Sequence, residues 1–522
     1  MNTLSARLGL TDLRFLLLVS ALYLLLSGSL LLSWPLLLPD EAAFADAARG
    51  VLLTGHPATA LIDGMGSTSC WQPPGWFYLM APVIALCGFG ILPLRVVSMC
   101  VGLIVIWATW MFARQIGASR WASRAGILLL ALNPNFITYV KLARMDGLCV
   151  LFTMLGLTAY ARYRTLGGTG RIALSSALFA VALLMHPFGI LGPTSAASHM
   201  LLVRRNEAIP ILRAILLFLA ATVVALMLWI LSAGSWADFA FQVGFQIGRK
   251  AHAFPAPLIA FAERYRSLPL FGLMIPVCLS GVWLEFRRSK SSPMLLLAIG
   301  ATVSTAVAAC AFEIPYHVYC LPLLSVVCGS FIDRWGGGRG AMRAIAGVLL
   351  IAVAGNFVAY TGFFNYEFHY ALRRDTDYAG LTSAIEERIP PGSAICLTGY
   401  PYPWWGLRTA GRDYRLFDEI FLSDSLGIDV ARRAEWFVLV NGLSPEDNRP
   451  DVVTQFSLMR KYAGMAGKTL SLKDFVGRKS AFAYTVRIYR LVPIVAETDS
   501  PLLARADPPG SGISIAHAYP PR

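Results

Sequence analysis

The sequence predicts a mainly α protein. A polytopic transmembrane helical domain of about eleven spans occupies residues 1–364, an extracytoplasmic soluble α/β domain follows over 365–495, and a disordered tail rich in proline and small residues closes the chain over 496–522. Three observations predict this. Of 522 residues, 56% are hydrophobic and only 14% charged, where an ordinary soluble domain carries about 25% charged residues. Apolar runs long enough to span a bilayer recur through the first two thirds of the chain. After Asn365 they give way to short strand-like runs and amphipathic stretches.

The net charge of +14 would point to nucleic acid in a soluble chain. In a membrane protein the basic residues set orientation instead, so no nucleic-acid partner is expected. Nine cysteines stand without CxxC or Cys/His ligand spacing, which gives no sign of a zinc site or a disulfide framework.

Taken in order, the first apolar run, Phe15 to Leu38, follows Arg7 and Arg14. It exceeds a signal-peptide core and lacks a small-residue cleavage site, so it reads as a retained first span with a cytoplasmic N-terminus. Further runs lie near 94–113, 124–140, 147–161, 172–186, 188–203, 211–233, 268–284, 293–311, 315–332 and 343–364. The run at 76–92 decides the threading. Read as interfacial or re-entrant, it leaves the basic loops around Arg120, Arg164, Arg204, Arg288 and Arg339 all cytoplasmic, as positive-inside bias requires. The C-terminal domain then lies outside. Within it, the stretch ending in "SAICLTG" and the runs "AEWFVLVNGL" and "SAFAYTVRIYRLVP" supply strands.

With this threading the unusual polar residues gather at one membrane face. Asp40 and Glu41 end the first apolar run and open a helix, where Asp40 could serve as an N-cap, as a base for an incoming hydroxyl or amine, or as both. Asp146 begins another membrane helix on the same side, with Lys141 and Arg144 just before it. Capping plus a local ion pair with Arg144 is the plain reading of Asp146, and the coincidence of placement favours a functional one. In "STSCWQPPGWFYLMAP" the aromatic residues Trp71, Trp76, Phe77 and Tyr78 either anchor the chain at the interface or wall a groove that holds a lipid chain or stacks on a sugar. Arg249 and Lys250, with His252, Arg264 and Arg266, make an outer loop basic against the general bias; phosphate is the obvious ligand and a solvated interfacial helix the alternative. Tyr316 and His317 could line the same mouth, with Glu313 as a partner for the histidine. Helix centres carry almost no charge, which argues against an ion-coupled transporter.

The assembled pattern resembles the GT-C superfamily of integral-membrane glycosyltransferases, in particular the group of protein O-mannosyltransferases and aminoarabinose lipid A transferases. The matching motifs are Asp40-Glu41 after the first span, Pro73-Pro74-Gly75-Trp76-Phe77-Tyr78, Arg144-Met145-Asp146, and Tyr319-Cys320-Leu321-Pro322-Leu323-Leu324, in the family's order over residues 1–364. The double-proline segment has one extra residue before its tyrosine.

The resemblance implies inverting transfer of a sugar from a polyprenyl-phosphate carrier to a lipid, glycan or protein acceptor at the extracytoplasmic face. The setting it implies is a multi-pass protein of the bacterial inner (plasma) membrane, in contact with membrane lipids. By position, Asp40 would be the general base and Asp146 a second acid that orients the acceptor or supports the site. Glu41, Arg144, Lys141, Tyr78, Arg249, Lys250, His317 and Tyr316 would serve substrate binding, the basic ones stabilising the charge of the leaving phosphate. A ligase or polymerase of lipid-linked glycans is the alternative enzyme, and a transporter a further one. Lipid A transferases of the group commonly carry Glu-Lys before the double proline, where this chain has Trp71-Gln72, and a tyrosine where it has Phe44. No residue is therefore assigned as a metal ligand; no cofactor is assigned, and a divalent metal stays open.

Overall fold

The computed structural model describes residues 9–28, 31, 39–58, 71–203, 208–251, 294–310, 314–331, 333, 383, 385–399, 414–418, 426–441, 450–476 and 485–494. The chain forms two compact units, Met1–Pro257 with Phe261–Arg374, and Leu258–Ala260 with Asp375–Arg522. The expected spans at 268–284 and 343–364, the loop residues His252, Arg264, Arg266 and Glu313, and the tail after 495 lie outside the described residues.

The first unit is helical. Its elements are α1 (Leu10–Gly28), α2 (Pro39–Thr54), α3 (Gly75–Cys87), α4 (Ile91–Gln115), α5 (Arg120–Ala131), α6 (Pro134–Val140), α7 (Asp146–Leu166), α8 (Thr169–Met185), α9 (Leu191–Val203), α10 (Ala208–Ser232), α11 (Trp236–Ala251), α12 (Met294–Cys310) and α13 (Leu321–Ser330). Among the described residues, Leu10–Gly28, Ile91–Gln115 and Ile211–Ser232 are long and apolar enough to cross a membrane, and Gly75–Cys87, Thr169–Met185, Met294–Thr305 and Leu321–Ser330 are shorter apolar helices. At 1.5 Å per residue α3 reaches only about 20 Å, short of the roughly 30 Å hydrocarbon layer.

Local chemistry explains where several helices begin. The expected run 124–140 is two helices rather than one: Asn133 accepts a bond from Phe136 N at 3.2 Å, and Pro134, which has no N–H to leave unpaired, opens α6. Likewise Pro39 opens α2, which places Asp40 inside the first turn rather than at the N-cap. The first helix differs too: α1 begins before Phe15 and ends at Gly28. At its start the buried Asp12 accepts bonds from Arg124 at 2.8 Å and pairs with Arg120 at 3.4 Å, tying α1 to α5.

Small residues let α5 and α13 cross closely. A Cβ added at Gly329 would lie 2.2 Å from the Ala122 carbonyl oxygen, and one at Gly126 would lie 3.0 Å from that of Ser325. In lipid, where apolar side chains gain little by leaving the solvent, such backbone approach is a main source of helix association. Around this crossing α7 packs on α8 and α4, α10 on α8, and α2 on α3.

The second unit is α/β. Strands β1 (Ala394–Gly399), β2 (Arg415–Asp418), β3 (Trp436–Asn441), β4 (Lys468–Val476) and β5 (Thr485–Pro493) form one sheet in the order β2-β1-β3-β5-β4. The first three are parallel, and β5 runs antiparallel to β3 and β4. Helices α14 (Leu426–Arg433) and α15 (Pro450–Met465) connect strands, and Ile395, Phe437, Val438 and Ile488 are fully buried in its core. Strands β1, β3 and β5 coincide with the three apolar runs read from sequence; β2 and β4 are too short or too polar to be seen that way.

Candidate active site

Two helix starts and one turn build the site. Successive residues of a helix point about 100° apart, so the neighbours Asp40 and Glu41 diverge: the Asp40 side chain is 45% exposed and that of Glu41 is 0% exposed. Glu41 is held on two sides. Arg95, near the start of α4, grips its carboxylate bidentately, Nε to Oε1 at 2.8 Å and Nη2 to Oε2 at 2.6 Å, and the same Oε1 accepts from Ala143 N at 2.8 Å. The third arm of Arg95, Nη1, donates to the Leu31 carbonyl at 2.9 Å.

The Ala143 bond fastens the turn between α6 and α7 beside the start of α2, and Arg144 is the next residue. Its guanidinium, only 4% exposed, bridges two carboxylates: Nη1 donates to Asp40 Oδ2 and Nε donates to Asp146 Oδ2 at 2.8 Å. Its Cζ also lies 5.6 Å from the ring centroid of Phe44, one helical turn after Asp40. Burial works against the Arg144 charge, but Asp146 and Asp40 more than offset it and push its pKa up.

Asp146, the first residue of α7, is 1% exposed and fully engaged. Beyond Arg144 it accepts a bond from the Tyr319 hydroxyl at 2.7 Å. Burial opposes its ionisation, yet Arg144, His186 and these hydrogen bonds together hold its carboxyl below the ordinary value. The helix N-terminus adds to this preference for a negative charge. His186 accepts from Phe188 N through Nδ1 at 3.2 Å, and with Phe188, Tyr316 and Tyr319 it forms an aromatic wall with ring centroids 4.9 to 6.3 Å apart. A second wall stands at the other side of Arg144, where Phe44 meets Trp71 at 5.2 Å and Trp76 and Phe77 at 6.1 Å.

Comparison with known proteins follows the same lines. Residues 71–232 match the family model for dolichyl-phosphate-mannose-protein mannosyltransferase. A search of the curated proteins finds no sequence match. Among solved structures, ArnT from Cupriavidus metallidurans superposes over 94% of this chain and 99% of its own when bound to undecaprenyl phosphate, with 16% identity and a TM-score of 0.52. Its apo state gives 92%, 98%, 15% and 0.55. This is the GT-C fold. The archaeal oligosaccharyltransferase AglB from Archaeoglobus fulgidus, in complex with an inhibitory peptide and a dolichol-phosphate, shares it over 94% of this chain and 75% of its own, with 11% identity and a TM-score of 0.53.

Within this GT-C fold the remaining sequence-derived residues fall in different places. Lys141 is 1% exposed and donates to the Ser27 carbonyl at the end of α1 at 3.3 Å. Burial first, and the Arg95 charge second, bring its pKa down to about 7 against the pull of Glu41. Tyr316 belongs to the His186 wall; His317, 6% exposed, receives the Cys320 N–H and thiol on its carbonyl at 3.1 and 3.0 Å. Tyr78 is 42% exposed, and its hydroxyl donates to the Gly55 carbonyl at 3.2 Å, away from the carboxylates. Arg249 and Lys250 close α11, and their side chains lie outside the described residues. Among the described residues no cluster of three or more His, Cys, Asp or Glu could hold a metal ion.

Sequence reasoning missed Arg95 and His186. Arg95 had a signal, a lone guanidinium inside the apolar run "ILPLRVVSMC", which in a membrane helix is costly enough to demand a partner. His186 had only its place in the turn "MHPFG", since nothing local indicates that it meets residues 316 and 319.

Proposed function

We propose that the protein is a membrane glycosyltransferase that moves a sugar from a polyprenyl-phosphate carrier to an acceptor at the extracytoplasmic face, with inversion, and that Asp40 is the general base. One observation carries this reading: of three clustered carboxylates, Glu41 and Asp146 are buried and locked, and Asp40 alone is substantially exposed. A base must reach the proton it takes, and the other two cannot without giving up buried partners.

In the proposed reaction Asp40 takes the proton of an acceptor hydroxyl or amine as its oxygen or nitrogen attacks the anomeric carbon. Attack comes from the side opposite the phosphate. The bond from the anomeric carbon to the phosphate oxygen breaks, its electron pair leaves with the phosphate, and the configuration inverts. Arg144 orients Asp40, and Asp146 with Tyr319 orients Arg144. Glu41 and Lys141 would support the site from the interior, while Arg249, Lys250, Tyr316, His317 and Tyr78 would meet the phosphate and its lipid. The family-model match and the GT-C fold support the class of reaction, and the neighbours solved with undecaprenyl phosphate and dolichol-phosphate support the carrier.

The test compares consumption of a labelled polyprenyl-phosphate sugar by purified wild type, Asp40→Asn and Asp146→Asn. Asp40→Asn should lower the turnover rate by about 10²–10⁴ with little change in carrier affinity, the range general-base catalysis supplies. Asp146→Asn should lower it less. Unchanged transfer in Asp40→Asn removes the base assignment, and failure of wild type to consume any such carrier removes the enzyme class.

A further inference from the structure

The segment that leads into α3 and the first turn of that helix carry three buried polar atoms without hydrogen-bond partners: Trp71 Nε1, Gln72 Oε1 and Trp76 Nε1. Such orphans are uncommon, and each costs on the order of 1–3 kcal/mol. The next two residues, Pro73 and Pro74, have no N–H to offer the Gln72 side-chain oxygen. Two donors and one acceptor thus stand within six residues of chain, on indole rings and a neutral amide. No residue from Trp71 to Tyr78 carries a charge.

Their position is set by Phe44, whose ring lies 5.2 Å from that of Trp71 and 6.1 Å from that of Trp76. On the same Phe44 ring sits the Arg144 guanidinium that binds Asp40. The two indole rings are therefore one aromatic ring away from the guanidinium that binds the exposed carboxylate, and Gln72 adjoins Trp71 in the chain.

We propose that Trp71, Gln72 and Trp76 form the sugar subsite of the donor and select a neutral, hydroxyl-bearing sugar over an amino sugar. Hydroxyl groups accept from an indole N–H and donate to an amide carbonyl, and the C–H face of a pyranose stacks on an indole ring. An ammonium group finds no carboxylate in this segment. The proposal rests on the reading of Asp40 and Arg144 as the transfer centre.

The experiment measures affinity and turnover of the full chain in detergent with four probes: polyprenyl phosphate alone, and the same carrier bearing mannose, glucose or 4-amino-4-deoxyarabinose. Wild type should bind a mannose- or glucose-bearing carrier about tenfold more tightly than the bare carrier or the amino-sugar carrier. Trp71→Phe, which keeps a ring and removes the donor, and Gln72→Leu should each abolish that preference while bare-carrier affinity stays within about twofold. Gln72→Glu should shift the preference toward the amino sugar. Equal affinity of wild type for all four probes, a preference for the amino sugar, or variants that weaken bare and sugar-bearing carriers in parallel would overturn the proposal. Because affinity is read without turnover, a wild type that distinguishes the sugars but transfers none would refute the transferase reading and leave this subsite standing.

Discussion

Asp40 and Glu41 are adjacent in sequence and opposite in exposure because a helix turns them apart. The buried member is the more tightly engaged, with Arg95 and the Ala143 N–H filling its carboxylate. Removing one partner of such a pair leaves an uncompensated buried charge. Arg95→Leu should therefore destabilise the protein by roughly 3–5 kcal/mol, whereas Arg95→Met combined with Glu41→Gln should recover most of that loss, since both charges go and the new amide oxygen can still accept from the Ala143 N–H. Thermal unfolding of the two variants in detergent measures this, and equal loss in both would show that the pair contributes shape rather than charge compensation. The motif residues Asp40, Arg144, Asp146 and Tyr319 were all legible in the sequence; which atom of each meets which was not.

Helix starts deliver the acidic groups, α2 the pair at 40–41 and α7 Asp146, at ends whose free N–H groups favour negative charge. What holds those starts in register is backbone approach between neighbouring helices. Gly329→Val would drive side-chain atoms into the Ala122 backbone, whose oxygen already lies 2.2 Å from the position of an added Cβ, so α5 and α13 must part. A loss of several kcal/mol and poor recovery from the membrane are expected, because overpacking that meets backbone cannot be relieved by a rotamer change. Gly170→Val is the control, as nothing lies within 4 Å of its added Cβ. A melting temperature in Gly329→Val as high as in the control would mean that the crossing adapts. The sequence showed these helices as apolar runs and could not show the break at Asn133, where one capping residue and one proline outweigh continuous hydrophobicity.

For the molecule as a whole, threading remains a matter of charge. Five basic loops share the cytoplasm only if the 76–92 segment does not cross, and α3 is too short to span the hydrocarbon unaided. A reporter fused after Arg373 should then report the extracytoplasmic side. A cytoplasmic signal would invert every loop and put the carboxylate cluster on the face away from the expected donor. Helical elements and the five-stranded sheet both follow the composition change near residue 365, since spanning helices and alternating strands leave different periodicities in the chain.

By itself the sequence determined the helical, membrane-type class and the order of the motifs, because hydropathy and charge act locally and can be read residue by residue. Tertiary structure alone decided that Glu41 meets Arg95 and Ala143, that Arg144 joins Asp40 to Asp146, and that His186 stands beside Tyr316 and Tyr319. Those contacts join residues up to about a hundred or more positions apart, and their cost or benefit depends on burial, which no local pattern carries. Burial is also what divides three chemically similar carboxylates into two that are enclosed and one that stays substantially exposed.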